Sequence, residues 1–154
     1  MLKVNALCLG LLTISLPLKA DILNLTSLEW PPYASEGVEQ QGASVAVVKA
    51  AVEAMGHELN VEFYPWERAV HLAKNKPDYA GYFPEYYFEA DDLLFSQSIG
   101  TGPLGFVENK SNPVTWSSLN DLKSINIGVV RGYVNTTELD NMIANQEIKA
   151  VAVT

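Results

Sequence analysis

Apolar residues recur along the chain in a pattern that switches between strand and helix periods. Ile22–Ser27 is a short apolar run and predicts a strand, closed by a turn-rich stretch through Pro31 and Pro32. Over residues 42–55, Val45, Val48, Val52 and Met55 fall three and four apart, which predicts a helix, and Gly56 is placed to cap its C-terminus. Residues 59–63 alternate as a strand. Pro65 suits the first turn of a second helix reaching about Asn75, where Lys76 and Pro77 stop it. Residues 79–82 predict a third short strand. Strand–helix–strand–helix–strand is the order of a parallel sheet covered by helices, in which ligands sit beyond the carboxyl ends of the strands.

A second unit with the same logic begins after about residue 101. Residues 104–108 are strand-like, and residues 117–122 predict a short serine-capped helix. Residues 125–130 predict a buried strand. Asn135 or Thr136 caps a helix to about Asn145, and residues 150–153 begin another strand. The pattern stops at Thr154 with that strand barely started, which reads as truncation.

Composition sharpens this picture. The 154 residues are 48% apolar and 18% charged, enough for one ordinary domain. Lys3 and Lys19 are the only charged residues among the first twenty, so the remainder carries eight basic side chains against eighteen acidic ones. So acidic a chain is a poor ligand for phosphate backbones, and nucleic-acid binding is excluded as a reading. Residues 4–18 are apolar apart from Asn5, Thr13 and Ser15, follow Lys3, and precede the small Ala20. That is the layout of a secretory signal peptide cut after Ala20, too short to span a bilayer, which takes about 20 apolar residues. No direct membrane insertion is expected after cleavage. The single cysteine, Cys8, lies inside this leader, so the exported chain holds no disulfide and must rely on packing.

Candidate catalytic chemistry is thin. Residues 100–105 match the dinucleotide fingerprint G-x-G-x-x-G, but Pro103 and an extended apolar run follow where the motif needs a helix start, so this is read as a flexible crossover. His57 and His71 are isolated and make no zinc site, and Glu85, Glu89, Asp91 and Asp92 lack calcium-loop spacing. No cofactor, metal or catalytic residue is expected. The aromatic residues say more, because ten of the fifteen fall between Phe63 and Phe95. Trp30, Trp66, Tyr82, Phe83, Tyr86 and Tyr87 lie in predicted loops or at helix starts, where they could wall a ligand cleft as well as fill a core.

In their order and spacing, several runs resemble the periplasmic solute-binding proteins of ABC importers, in particular the amino-acid-binding group (bacterial solute-binding family 3). They are Glu29-Trp30-Pro31-Pro32-Tyr33, Tyr64-Pro65-Trp66-Glu67-Arg68-Ala69, Asp78-Tyr79-Ala80-Gly81, Leu94-Phe95-Ser96, Ser118-Leu119-Asn120-Asp121-Leu122 and Ile127-Gly128-Val129-Val130-Arg131-Gly132. The resemblance implies an α/β, periplasmic-binding-protein-like fold of two lobes with parallel-dominated sheets joined by a hinge. Residues 21–101 would form the first lobe. Residues 102–154 would supply the hinge crossing and the first half of the second, incomplete lobe.

It also implies a ligand site. Trp30 and Trp66 match the two aromatic positions that sandwich a ligand side chain. Tyr82, Phe83 and Glu85 match the loop that meets ligand amine and carboxylate. Arg131, Gly132, Asn135 and Thr136 match a second-lobe turn and helix start able to receive a carboxylate. One departure stands out: the family places an arginine just before the Phe-Ser pair, and this chain has no basic residue between Lys76 and Lys110. Arg68 is either its substitute or a surface residue paired with Glu67 or Glu62.

The function implied is periplasmic binding of a small polar solute, amino-acid-like or amine-bearing, by a monomer that delivers it to an ABC permease in the inner membrane. A sensory protein feeding a receptor, or a lyase on the same fold using Glu29 or Glu85, are the alternatives.

Overall fold

The computed structural model describes residues 20–153, so the leader expected over residues 1–20, with Cys8, lies outside them apart from Ala20. The first unit contains strand β1 (Ile22–Ser27), helix α1 (Ala43–Ala54), strand β2 (Glu58–Phe63), helix α2 (Trp66–Asn75) and strand β3 (Gly81–Tyr82). All three strands are parallel, in the order β2-β1-β3. The register runs from Ile22 opposite Glu58 to Ser27 opposite Phe63, and Thr26 faces Tyr82 on the other side.

The two helices cover opposite faces of this sheet, because successive strand residues point to opposite sides. Leu25 joins Val45 of α1, Val61 and Phe83 in one apolar cluster. Its neighbour Thr26 is fully buried on the other face, where its hydroxyl donates to the Ala69 carbonyl of α2 at 2.8 Å. Trp66 and Ala69 of α2 pack there with Leu28. Helix α1 buries Val45 and Val52 as its spacing predicts, but Met55 lies one residue past the helix and is 65% exposed. Gly56, at φ +83°, ends the turn by donating its amide to the Glu53 carbonyl.

The second unit pairs strands β4 (Asn126–Val130) and β5 (Lys149–Val153) in parallel across helix α3 (Thr137–Ala144). Its core is Leu122, Ile127, Leu139, Met142 and Ile148. A 3-10 turn at Leu119–Leu122 replaces the longer helix expected there, held by a reciprocal cap between Ser118 and Asp121. Four hydrogen bonds from Ser117 and Ser118 draw the Asp121 carboxyl down to about 2. The strand expected over residues 104–108 is absent. That segment is apolar, but among the described residues no strand pairs with it, and Val107 is fully exposed.

The loop between β1 and α1 closes tightly over Gly42. Gly42 adopts φ +104°, and a Cβ there would overlap the Tyr33 carbonyl. Gly42→Ala is therefore expected to destabilise the protein by about 2 kcal/mol or more, through both the positive φ and the overlap. Urea denaturation checks this; a loss below 0.5 kcal/mol, on the order of an ordinary surface change, would contradict the geometry.

Candidate functional site

The carboxyl ends of β1 and β3 open into a cleft of about 520 Å³. Trp30 and Tyr33, on the loop after β1, form one wall, with ring centroids 4.9 Å apart at 44°. That loop is folded back on itself: Trp30 and Ala34 pair as an antiparallel bridge, and the Trp30 carbonyl accepts from the Tyr33 and Ala34 amides. Ser44 and Val47 of α1 add a second side. Pro84, Glu85 and Tyr86, just past β3, form the floor, and residues 99–103 close the rim. The Tyr86 hydroxyl reaches the Gly102 carbonyl at 3.4 Å, tying floor to rim.

A smaller recess of about 40 Å³ continues from the same floor. There Glu85 and Tyr86 meet Trp66, Leu104, Tyr133 and Val134, so the second unit contributes through the turn after β4. Trp66 joins the two units directly. Its indole Nε1–H donates to the Gly132 carbonyl at 3.0 Å, and its ring meets those of Tyr82 and Tyr133 edge-on at 5.4 and 5.8 Å.

Among the described residues, Glu85 is the one charged side chain lining either hollow. Burial pushes its carboxyl up to about 6, and the Tyr86 amide, donating to Oε1 at 2.8 Å, offsets that only in part. Burial is also the first cause that raises the Tyr82 and Tyr133 phenols, with the Glu85 charge second. Ser27 holds the floor in place: it is fully buried, and its hydroxyl donates to the Phe83 carbonyl at 2.8 Å.

The structure brings together only some of the residues expected at the site. Trp30 and Glu85 line both hollows, while Trp66 lines the small recess alone. Tyr82 packs against Trp66 and lines neither. The Phe83 side chain is 6% exposed and sits in the core beneath α1, and Phe83 lines neither hollow. Arg68 is exposed, with its guanidinium 4.9 Å above the Tyr64 ring; the ion pairs with Glu62 or Glu67 do not form, and Glu62 instead accepts from Tyr79 at 3.0 Å. Arg131 is exposed, and its amide completes the β5 ladder at the Val153 carbonyl. Gly132 receives the Trp66 bond.

Asn135 and Thr136 are both engaged at the start of α3. Asp140 accepts from the Asn135 amide at 3.0 Å and from its Nδ2 at 2.8 Å, and the Thr136 hydroxyl accepts from the Leu139 amide. Glu29 lies outside both hollows and braces its own loop. Its carboxyl is held below the usual range by Ser35 and by the Glu36 amide, which donates at 3.0 Å.

Tyr86, a cleft-wall candidate in the sequence, lines both hollows, whereas Tyr33 and Tyr133 escape the sequence reading. Tyr33 closes the run that begins at Glu29, and Tyr133 follows the Arg131-Gly132 turn, so a signal existed for each. Ser44 and the rim at residues 99–103 gave none beyond the glycine-rich crossover itself.

No protein-family model matches the chain, and no curated protein sequence matches it. Among solved structures the chain is similar to an ancestral arginine-binding protein bound to arginine, with a TM-score of 0.62 at 16% identity. The likeness covers 86% of this chain and 60% of that one, so the chain spans about three fifths of its neighbour's length. At that identity the likeness defines the fold. The chain has a mixed α/β, periplasmic-binding-protein-like fold with parallel sheets.

Proposed function

We propose that the protein binds a small polar, amine-bearing solute in the cleft between Trp30, Tyr33 and Tyr86, with Glu85 as the counter-charge. One observation carries this reading: a single half-buried carboxylate lies among aromatic faces at the carboxyl ends of parallel strands. Aromatic faces attract cations, and a desolvated carboxylate regains a partner when an ammonium group arrives. The similar solved structure is that of an arginine-binding protein, a binding protein for a cationic solute, which supports the same use of the fold. With the leader-like N-terminus, the reading extends to a monomer in the periplasm that hands its solute to an ABC permease.

Thermal denaturation of the full chain against a panel of amines, amino acids, sugars and carboxylates tests this. A cationic solute at 100 times its Kd should add about 2.7 kcal/mol to the stability. If an anionic amino acid such as glutamate stabilised best, the cationic reading would fall.

A further inference from the structure

We infer that the cleft selects a cation that carries no carboxylate: a simple amine or guanidine rather than a zwitterionic amino acid. This rests on the solute-binding reading above and decides between the two ligand classes it leaves open. An α-carboxylate entering such a cleft needs a cationic side chain or a cluster of unused backbone amides. Without one, its desolvation costs several kcal/mol. Three places bear on this: the lining, the start of α1 and the start of α3.

The first is the lining itself, which among the described residues holds no lysine, arginine or histidine around either hollow. Neither Arg68 nor Arg131 lines a hollow: Arg68 stacks on Tyr64, and Arg131 is exposed beside the end of β5. The second is the start of α1, which borders the cleft through Ala43 and Ser44. Their amides donate to the Pro32 and Tyr33 carbonyls at 3.1 and 2.8 Å. The positive pole of that helix is thus turned onto its own loop.

The third is the start of α3, adjoining the recess through Tyr133 and Val134. Here the chain supplies its own anion. The two carboxylate oxygens of Asp140 take the Asn135 amide and side chain, the groups a ligand carboxylate would use. Glu138 adds a second negative charge in the same turn. An incoming carboxylate meets repulsion where the resemblance expected a receptor.

What the cleft does offer suits a bare cation. Trp30, Tyr33 and Tyr86 present aromatic faces, and Glu85 presents the charge. An amine satisfies Glu85 and leaves no anionic group behind.

Matched pairs that differ only by a carboxylate test the inference: cadaverine against lysine, and agmatine against arginine. Isothermal titration of the full chain at pH 7.5 should show the decarboxylated member of a binding pair at least tenfold tighter. An amino acid that binds as tightly as its amine, or tighter, overturns the inference while leaving the cleft as a solute site. If neither pair binds, the cationic reading of the cleft falls with it.

Discussion

Glu85→Gln is expected to make the ligand-free protein more stable at pH 7 while weakening amine binding by one to two orders of magnitude. The two effects share a cause. Burial lifts the Glu85 carboxyl from 4.5 to about 6 in the folded chain, so the folded state holds the proton more tightly than the unfolded state. Below about pH 4.5 the group is protonated in both states, and its ionisation costs nothing. As the pH rises through 6, the folded chain must carry a partly desolvated charge, and stability falls to a lower plateau.

A rise of this size corresponds to about 2 kcal/mol if taken whole, and to about 1 kcal/mol once solvent screening of a half-exposed group is allowed for. Glutamine is neutral throughout and keeps an oxygen for the Tyr86 amide, whose bond to Glu85 is 2.8 Å. The variant should therefore be more stable by about 1 kcal/mol at pH 7 and equal to the parent at about pH 3.5, below both values. The Tyr82 and Tyr133 phenols, which feel the Glu85 charge, are raised further above their usual range, so neither titrates in this window to mask the effect.

Binding moves the other way. Removing the carboxylate leaves a bound ammonium without its counter-charge in a cleft with no other acid, a loss of about 1.5–3 kcal/mol, or tenfold to hundredfold in Kd. Urea melts at the two pH values and titration with cadaverine or agmatine read both effects. A variant with unchanged stability and unchanged affinity would place Glu85 outside any binding site.

The contrast between fold and site follows from the range over which each is encoded. Helix α1 was legible because Val45, Val48 and Val52 repeat at helical spacing, and β1 because a short apolar run stood between turns. These are local signals, and the elements they predict form where expected. The segment at residues 104–108 shows the limit of that logic, since an apolar run makes a strand only when another strand lies beside it. The site depends on which way loop residues face, and sequence period does not report that. Phe83 and Glu85 sit two residues apart, yet one is sealed in the core beneath α1 and the other lines both hollows. The role of Asp140 was local and in principle readable, being an acid in the first turn of α3. What hid it was the expectation that the helix start would stay free for a ligand. The pairing of Trp66 with Gly132, 66 positions apart, had no sequence signal at all.

That pairing sets up the second large effect. Trp66→Ala is expected to cost about 3–5 kcal/mol, the range for deleting a buried indole. The side chain is 5% exposed and packs among Leu28, Ala69, Tyr82 and Tyr133, so little around it can collapse into the space. Trp66→Phe keeps most of the apolar contact but removes the Nε1–H that donates to the Gly132 carbonyl, and should cost only about 1–2 kcal/mol.

The shape of the transition discriminates further. The contact between Trp66 and the turn at Gly132 and Tyr133 joins a first unit and a second unit whose cores are otherwise separate. If it couples their unfolding, the parent chain melts in one cooperative step. Trp66→Ala should then split that step, the unit built on Ile127 and Leu139 losing structure at lower denaturant than the unit built on Val45 and Val61. Trp66→Phe, which retains the edge-on packing against Tyr133, should keep the single step at a lower midpoint. Equal losses in the two variants would mean that the hydrogen bond, and not the buried ring, holds the units together. A loss under about 1 kcal/mol in the alanine variant would show that the indole is not enclosed between them.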